Sequence, residues 1–453
     1  MEKNQREGFA STFGLLMAAV GSAIGLGNIW RFPYITGKYG GGAFLLVYLF
    51  VVVLIGLPLM ISEFIIGREG RKDAIGSFRK LAPGKPWYIS GVLGVLAAFF
   101  ILSYYSTIAG WSLEYFMKSV TNSFAGQSSE AITGMFGEFV SHPIRPIITQ
   151  IIFMAITGVV VATGIEKGIE RVSKIMVPFL FVLIIILDIR ALTLPGGMEG
   201  IRFLFKPDLS KIDGTVILGA LGHAFYTLSL GMGIIITYGS YIDDKENLGK
   251  SALQISVMDT IIALLAGVAI FPAVFAYGVD PTEGPGLVFI TLPNIFNQMP
   301  GGYLFSILFF LLLSVAALTS TISLMEVVVA FLVDSFKMAR KNASVLAFVS
   351  ITVVGLFSTL SQGPLAHIQL FGNDILDFLD QITANYFLTT AALISIIFLG
   401  WFYEKDKVEN QLTSGGTVKA GYKSLYYFMI KWVVPIGIIL VFLFQLGVFG
   451  TLD

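Results

Sequence analysis

Long apolar runs, closed off by glycines, prolines or charges, divide this chain into eleven predicted membrane-spanning helices. They cover roughly 9–34, 43–66, 88–116, 143–162, 168–192, 214–241, 248–277, 303–336, 343–360, 375–402 and 425–449, lengths that suit the ~17–25 apolar residues a bilayer crossing needs. Two of these runs are interrupted near their centres. The first contains Gly21, Gly25, Gly27, Asn28 and Arg31; glycine weakens a helix by about 1 kcal/mol against alanine, and a charge at membrane depth is costly. Helix-breaking sequence is tolerated there when the freed backbone lines a cavity, so the segment reads as a helix broken to offer bare carbonyls to a cation. Close helix packing through Gly21-x-x-x-Gly25 fits the same stretch equally well when it is taken alone. The sixth run carries a second interruption, Thr227-Leu228-Ser229-Leu230-Gly231-Met232-Gly233. Interrupted spans at matching places in two halves are the sequence mark of an inverted-repeat transporter, which decides between the two readings.

The predicted fold is therefore an all-α integral membrane protein of eleven transmembrane helices. Residues 1–192 form a first five-helix repeat, 193–213 an external loop, and 214–402 the second, inverted repeat. A cytoplasmic loop at 403–424 and an eleventh helix with an external C-terminus at 425–453 complete the chain. Polar or Pro/Gly-rich stretches at 119–141, 193–213 and 280–302 read as loops, the last as a hairpin or lid. The first run continues past any plausible cleavage point and is expected to be a spanning helix rather than a signal peptide.

Composition changes the picture only by exclusion. Charged residues make up 13% of the 453, about half the share in soluble domains. No basic cluster with interleaved aromatics points to nucleic acid. The absence of cysteine removes disulfides, thiol catalysis and cysteine-ligated metal, while His142, His223 and His367 lack zinc-ligand spacing. Lysine and arginine counts set the orientation: with the N-terminus cytoplasmic, about twenty basic residues fall inside and about six outside, which places the C-terminus outside.

Gly21-Ser22-Ala23-Ile24-Gly25-Leu26-Gly27-Asn28 with Trp30-Arg31-Phe32-Pro33, followed by Gly40-Gly41-Gly42-Ala43-Phe44, resembles the signature of the neurotransmitter:sodium symporters. Phe225 to Gly233, Phe289-Ile290-Thr291-Leu292-Pro293 and Leu318-Thr319-Ser320 extend the likeness along essentially the whole chain. Eleven spans instead of twelve is a departure shared with many bacterial members. The resemblance implies a LeuT-like 5+5 inverted repeat in a bacterial plasma membrane and sodium-coupled import by alternating access. The partners it implies are two sodium ions, a hydrophobic L-amino acid and the lipid bilayer, with monomer and weak homo-oligomer both left open.

By the same resemblance, one sodium site takes the carbonyls of Gly21, Ile24 and Ala316 and the hydroxyls of Thr319 and Ser320. The rival reading of that hydroxyl pair is back-bonding to carbonyls one turn earlier. The other site takes Ala23, Asn28, Thr227 and Asp259. Many members carry asparagine at the Asp259 position, and chloride-independent ones often place an acid where this chain has Ala263; Asp259 is thus the natural source of negative charge, and transport is expected to be chloride-independent. His223 either pairs with Asp259 or is a packed, neutral histidine. The expected substrate residues are Ser22, Ala23, Leu26, Gly27, Ile101, Tyr105, Tyr226, Thr227, Ser229, Met232, Ser320 and Leu324. Monoamine carriers of the family place an aspartate at the position of Gly25, so glycine here favours an amino acid. An uncharged lining rejects charged side chains, and a flexible Met232 suits both aromatic and branched aliphatic ones.

Arg31 with Asp377 matches the family's external gate and Arg6 with Asp334 the internal one; an ordinary interfacial ion pair is the plain alternative for each. Glu63 is expected to accept amides from the sixth-span break, and Glu326 has no role that the sequence explains. Gly168 and Pro178 bracket nine residues of the fifth span. Proline removes a helix hydrogen bond and glycine leaves helical geometry readily, so this stretch is either an unwinding hinge or a static kink. A channel and an intramembrane enzyme are the rival classes, disfavoured by the asymmetric breaks and by the lack of a nucleophile–base constellation.

Overall fold

A computed structural model describes residues 7–278, 287–445 and 448. Among the described residues there is no β-strand, only one isolated bridge between Leu370 and Asn373. The helices in chain order are α1 (Thr12–Ala23), α2 (Gly27–Lys38), α3 (Gly42–Gly70), α4 (Ala74–Leu81), α5 (Tyr88–Val120) and α6 (Ser129–Ser141). They continue as α7 (Arg145–Ala162), α8 (Ile165–Leu192), α9 (Gly197–Phe205), α10 (Gly214–Thr227), α11 (Ile234–Gly239) and α12 (Leu248–Ala276). The last six are α13 (Leu292–Gln298), α14 (Gly302–Phe336), α15 (Arg340–Leu360), α16 (Ile375–Phe402), α17 (Lys405–Leu412) and α18 (Lys423–Leu443).

Nine of these are long and apolar enough to cross a membrane, and α1 with α2 adds a tenth span bent by 43° at its break. The sixth predicted span is α10 and α11, two short helices separated by residues 228–233. A count of eleven therefore rests on taking that broken pair as one span. The two breaks have local causes. At Ile24 the chain leaves the helix for an extended conformation. In the sixth region Ser229 and Gly231 both adopt positive φ, 57° and 75°, a state that L-residues other than glycine take at a steric cost. The Glu63 carboxylate accepts the freed Gly231 amide at 2.8 Å, the structural part foreseen for it.

The interior is built around α1, α5, α12 and α14, with α1 packed against α8, α12 and α14. Outer helices carry a second apolar stripe facing away from this core: Ile148, Ile152 and Val159 on α7, Ile175, Val182 and Ile189 on α8, and Val345, Val349 and Val353 on α15 are all exposed. A helix that is hydrophobic on all sides belongs in lipid.

The predicted loops are more structured than expected. The 119–141 stretch contains α6, capped by the Ser128 hydroxyl, which accepts the Ala131 amide. Its Phe136 stacks on Phe289 with ring centroids 5.6 Å apart. The 193–213 loop contains α9 and the 403–424 loop contains α17. The hairpin or lid expected over 280–302 is instead helical at residues 287–298, and its 280–286 part lies outside the described residues. These are short amphipathic helices whose few apolar positions blend into a polar composition.

Candidate functional site

The two breaks face one another across a pocket. Ser22, Ala23, Gly25 and Gly27 line it from the first, and Tyr226, Thr227, Ser229, Met232 and Ile234 from the sixth. Ile101 and Tyr105 on α5 and Ser320 and Leu324 on α14 close its sides. Every residue expected around a substrate is thus in the lining except Leu26, whose amide points at the same place and donates to the Tyr105 hydroxyl at 2.9 Å. Ile234 is an addition that the motifs did not single out. Gly25 is there for lack of room: a Cβ on it would lie 2.3 Å from Ser320 Oγ and 2.7 Å from the Tyr105 oxygen. Among the described residues the lining carries no charged side chain.

On one side of the pocket lies a buried oxygen cluster. Asn28 Nδ2 donates to Asp259 Oδ1 at 2.8 Å and to the Asp259 carbonyl at 3.1 Å. The Thr227 hydroxyl lies 2.9 Å from Asp259 Oδ1 and 3.2 Å from Asn28 Oδ1. Tyr48 donates to Asp259 Oδ2 at 3.3 Å. A buried carboxylate beside amide and hydroxyl oxygens is a donor set for a hard cation. His223 takes no part in it. Its ring sits among Phe32, Phe44 and Tyr48 at centroid distances of 5.7, 6.1 and 5.4 Å, and neither nitrogen has a hydrogen-bond partner among the described residues. Pairing with Asp259 is thereby corrected: Tyr48 holds that carboxylate, and His223 is the packed histidine of the plainer reading.

On the other side α14 meets the end of α1. Thr319 Oγ1 lies 2.9 Å from the Ala316 carbonyl and 3.3 Å from the Ile24 carbonyl freed by the break. The local back-bond and the cross-helix contact therefore coexist. A Cβ on Gly21 would lie 3.3 Å from the Thr319 side chain. Ser320 turns its hydroxyl to the Ser22 carbonyl at 3.0 Å.

Above the pocket the expected ion pair has a different acid. Arg31 Nη1 lies 3.6 Å from Asp380 Oδ1, and its guanidinium stacks over the Tyr226 ring at 4.6 Å. Tyr104 donates to the same Asp380 oxygen at 2.8 Å. Asp377 belongs to the first turn of α16, where its amide is capped by Asp374 at 2.9 Å. The two acids are one helical turn apart, and the deeper one reaches Arg31. Asp380→Asn is expected to lower uptake about ten-fold, whereas Asp377→Asn leaves it within about two-fold. Initial transport rates check this, and the reverse order would make Asp377 the acid that matters to Arg31.

At the end of the bundle expected to be cytoplasmic, Arg6 lies outside the described residues, and Asp334 accepts the Asp73 amide at 2.7 Å. Glu326 finds its explanation here. Fully buried, it pairs with the Arg340 guanidinium and accepts the Tyr241 hydroxyl at 2.7 Å. Arg340 also bonds the Val161 carbonyl at 2.9 Å and reaches Glu7 at 3.6 Å. Gly168 and Pro178 both lie within α8, which is helical from Ile165 to Leu192; the proposed hinge is wound in this conformation.

The model of the sodium:neurotransmitter symporter family matches residues 6–133 and 141–451. An uncharacterized sodium-dependent transporter of Bacillus subtilis, YhdH, is 41% identical over 97% of this chain and 98% of its own length. One from Haemophilus influenzae is 36% identical over 98% of each. Among solved structures, the crystal structure of MhsT in complex with L-phenylalanine superposes with a TM-score of 0.90 at 45% identity, covering 97% of this chain and 99% of that one.

Proposed function

The chain belongs to the sodium:neurotransmitter symporter family as a sodium-dependent membrane transporter, and on that footing we propose that it imports hydrophobic L-amino acids with two sodium ions and without chloride. The observation that carries the reading is the uncharged pocket between two helix breaks, flanked by one oxygen cluster at Asp259 and another at Thr319. Helix breaks supply amides for an α-carboxylate and carbonyls for an α-amino group. Met232, Ile101, Ile234 and Leu324 leave only apolar contacts for the side chain, and a methionine repacks around aliphatic and aromatic shapes alike. The L-phenylalanine in the MhsT complex is of the same class. A bacterial plasma membrane with the N-terminus cytoplasmic and the C-terminus external completes the proposal.

The test is uptake of labelled L-leucine and L-tryptophan into proteoliposomes under inward gradients of sodium chloride, sodium gluconate or potassium chloride. Accumulation in both sodium salts and not in potassium is the expected result. Accumulation in sodium chloride alone would overturn chloride independence, and sodium-dependent binding without accumulation would overturn import.

Residues 168–178 are read as the inner hinge: their unwinding would let water reach the Thr319 cluster from the cytoplasm. Val177, the residue before Pro178, closes the space beside Gly21 at the edge of that cluster, where an added Cβ would lie 3.0 Å from it, so loss of helix there would uncover it. Pro178→Ala restores a hydrogen-bond donor to the helix. It is expected to slow sodium release to the cytoplasmic side several-fold and to leave external substrate affinity unchanged. Efflux kinetics equal to those of the parent protein would overturn the hinge.

A further inference from the structure

We propose that Glu170 is a positioning residue that ties the inner half of the broken first span to the fifth-span hinge, so that α1 release and unwinding of residues 168–178 occur as one event. The proposal rests on the hinge reading above, and the experiment separates failure of the two.

Glu170 lies on the first turns of α8, two residues after Gly168, and is only 1% exposed. Its carboxylate does not face the cytoplasm. Oε2 accepts the Ala10 amide at 2.7 Å, and Oε1 accepts the Ser11 hydroxyl at 2.9 Å. Lys174, one turn further along α8, pairs with the same carboxylate. Ser11 is the N-cap of α1 and itself accepts the Gly14 amide at 3.0 Å. An anion is thus seated beside the positive end of α1, bonded to its cap and to the amide of the residue before the cap, where negative charge is favoured. The first turn of α1 is shaped to receive it: a Cβ at Gly14 would lie 2.0 Å from Glu170 Oε1. One heptad later on both helices, a Cβ at Gly21 would lie 3.0 Å from the Val177 side chain. The pairs Gly14–Glu170 and Gly21–Val177 therefore fix a single register of α1 on α8.

The register has a mechanical consequence. Because α1 ends at the Ile24 break, it is a lever of about 18 Å whose far end carries the Gly21 and Ile24 carbonyls. Its near end is tied by Glu170 to the segment bracketed by Gly168 and Pro178. If 168–178 unwinds, Glu170 is carried off the α1 N-terminus and the lever loses its anchor. If α1 swings away, the carboxylate keeps only Lys174 and the turn that presents it loses its support. The other tie on the first turn, from the Thr12 hydroxyl to Glu246 at 2.6 Å, comes from the α11–α12 connection and does not join these two elements.

The chain has no cysteine, so single reporters can be read cleanly. Ala18→Cys on α1 and Ser173→Cys on α8 place thiols at positions 1% and 3% exposed. Inside-out vesicles are treated with a membrane-impermeant maleimide in potassium or in saturating sodium. Glu170→Gln is expected to raise labelling in potassium about ten-fold at both reporters by the same factor. Ser11→Ala, which removes one donor and keeps the carboxylate, is expected to raise both by about three-fold and carries the test if Glu170→Gln does not fold. A rise at Ala18→Cys alone, or at neither reporter, would overturn the coupling. Pro178→Ala in the same reporters separates the readings. If it lowers labelling at Ser173→Cys while Glu170→Gln changes nothing, the hinge stands and the tie falls. If it changes nothing while Glu170→Gln raises both, the tie stands and the proline hinge falls.

Discussion

Asp259→Asn is expected to abolish sodium-driven uptake in chloride-free medium and to leave a transporter whose remaining activity rises when chloride is supplied. Asp259 is fully buried, and its carboxylate is met by Asn28, Thr227 and Tyr48. None of those three carries a charge. A cation held among these oxygens has the Asp259 carboxylate as its counter-charge, because Ala263, one turn along the same helix, supplies none. Leaving a buried charge uncompensated costs about 3–5 kcal/mol, which is on the order of a hundred-fold or more in apparent sodium affinity. Asparagine keeps the size and one oxygen of the side chain, so packing around Tyr48 is retained and the loss reads charge rather than collapse. The measurement is the sodium dependence of L-leucine uptake in chloride and in gluconate, for both proteins. Sodium affinity within three-fold of the parent in gluconate would overturn the assignment of charge compensation to Asp259.

How far the site could be read in advance differs from residue to residue, for physical reasons. The two breaks announce themselves because glycine, asparagine and adjacent hydroxyls have no reason to sit mid-bilayer unless the backbone there is in use. Eleven of the twelve residues expected around the substrate line the pocket, and the twelfth, Leu26, contributes its amide at the same place. The sequence pairs Arg31 with Asp377 where the structure pairs it with Asp380, because the two acids are one turn apart on one helix and the pattern is the same whichever of them faces Arg31. His223 was ambiguous because helical spacing puts it near Asp259 without saying that Tyr48 stands between them. Glu326 depends on Arg340, which lies on the next helix beyond a turn, so its partner is a tertiary fact. Glu170 was hidden most completely. In the run Glu166-Lys167-Gly168-Ile169-Glu170-Arg171 it reads as one more charge on a solvated helix end, and only the packing of α1 on α8 turns it inward.

Gly25→Ala is expected to reduce amino acid binding about a hundred-fold while leaving the fold in place. The added methyl group would meet Ser320 Oγ at 2.3 Å and the Tyr105 hydroxyl at 2.7 Å. Both atoms are engaged: Ser320 with the Ser22 carbonyl and Tyr105 with the Leu26 amide, the backbone donor proposed for the substrate carboxylate. Displacing them gives up hydrogen bonds worth about 0.5–1.5 kcal/mol each, and overpacking a close-packed site adds about 1–3 kcal/mol. The lower part of that range, about 2.7 kcal/mol, corresponds to about a hundred-fold in affinity. The three nearest atoms to the new methyl group all belong to the pocket side chains Ser320 and Tyr105, and the link to the oxygen cluster, the Gly25 amide donating to Asn28 Oδ1 at 3.3 Å, is a backbone one that the substitution keeps. Gly25→Asp should be more severe for an amino acid, since a second carboxylate would face the substrate's own with no cationic side chain among the described residues of the lining. Equilibrium binding of labelled L-leucine at saturating sodium, with thermal unfolding as the control for integrity, separates the cases. Wild-type affinity in Gly25→Ala would move the substrate carboxylate away from the first break, and with it the basis for reading this pocket as an amino acid site.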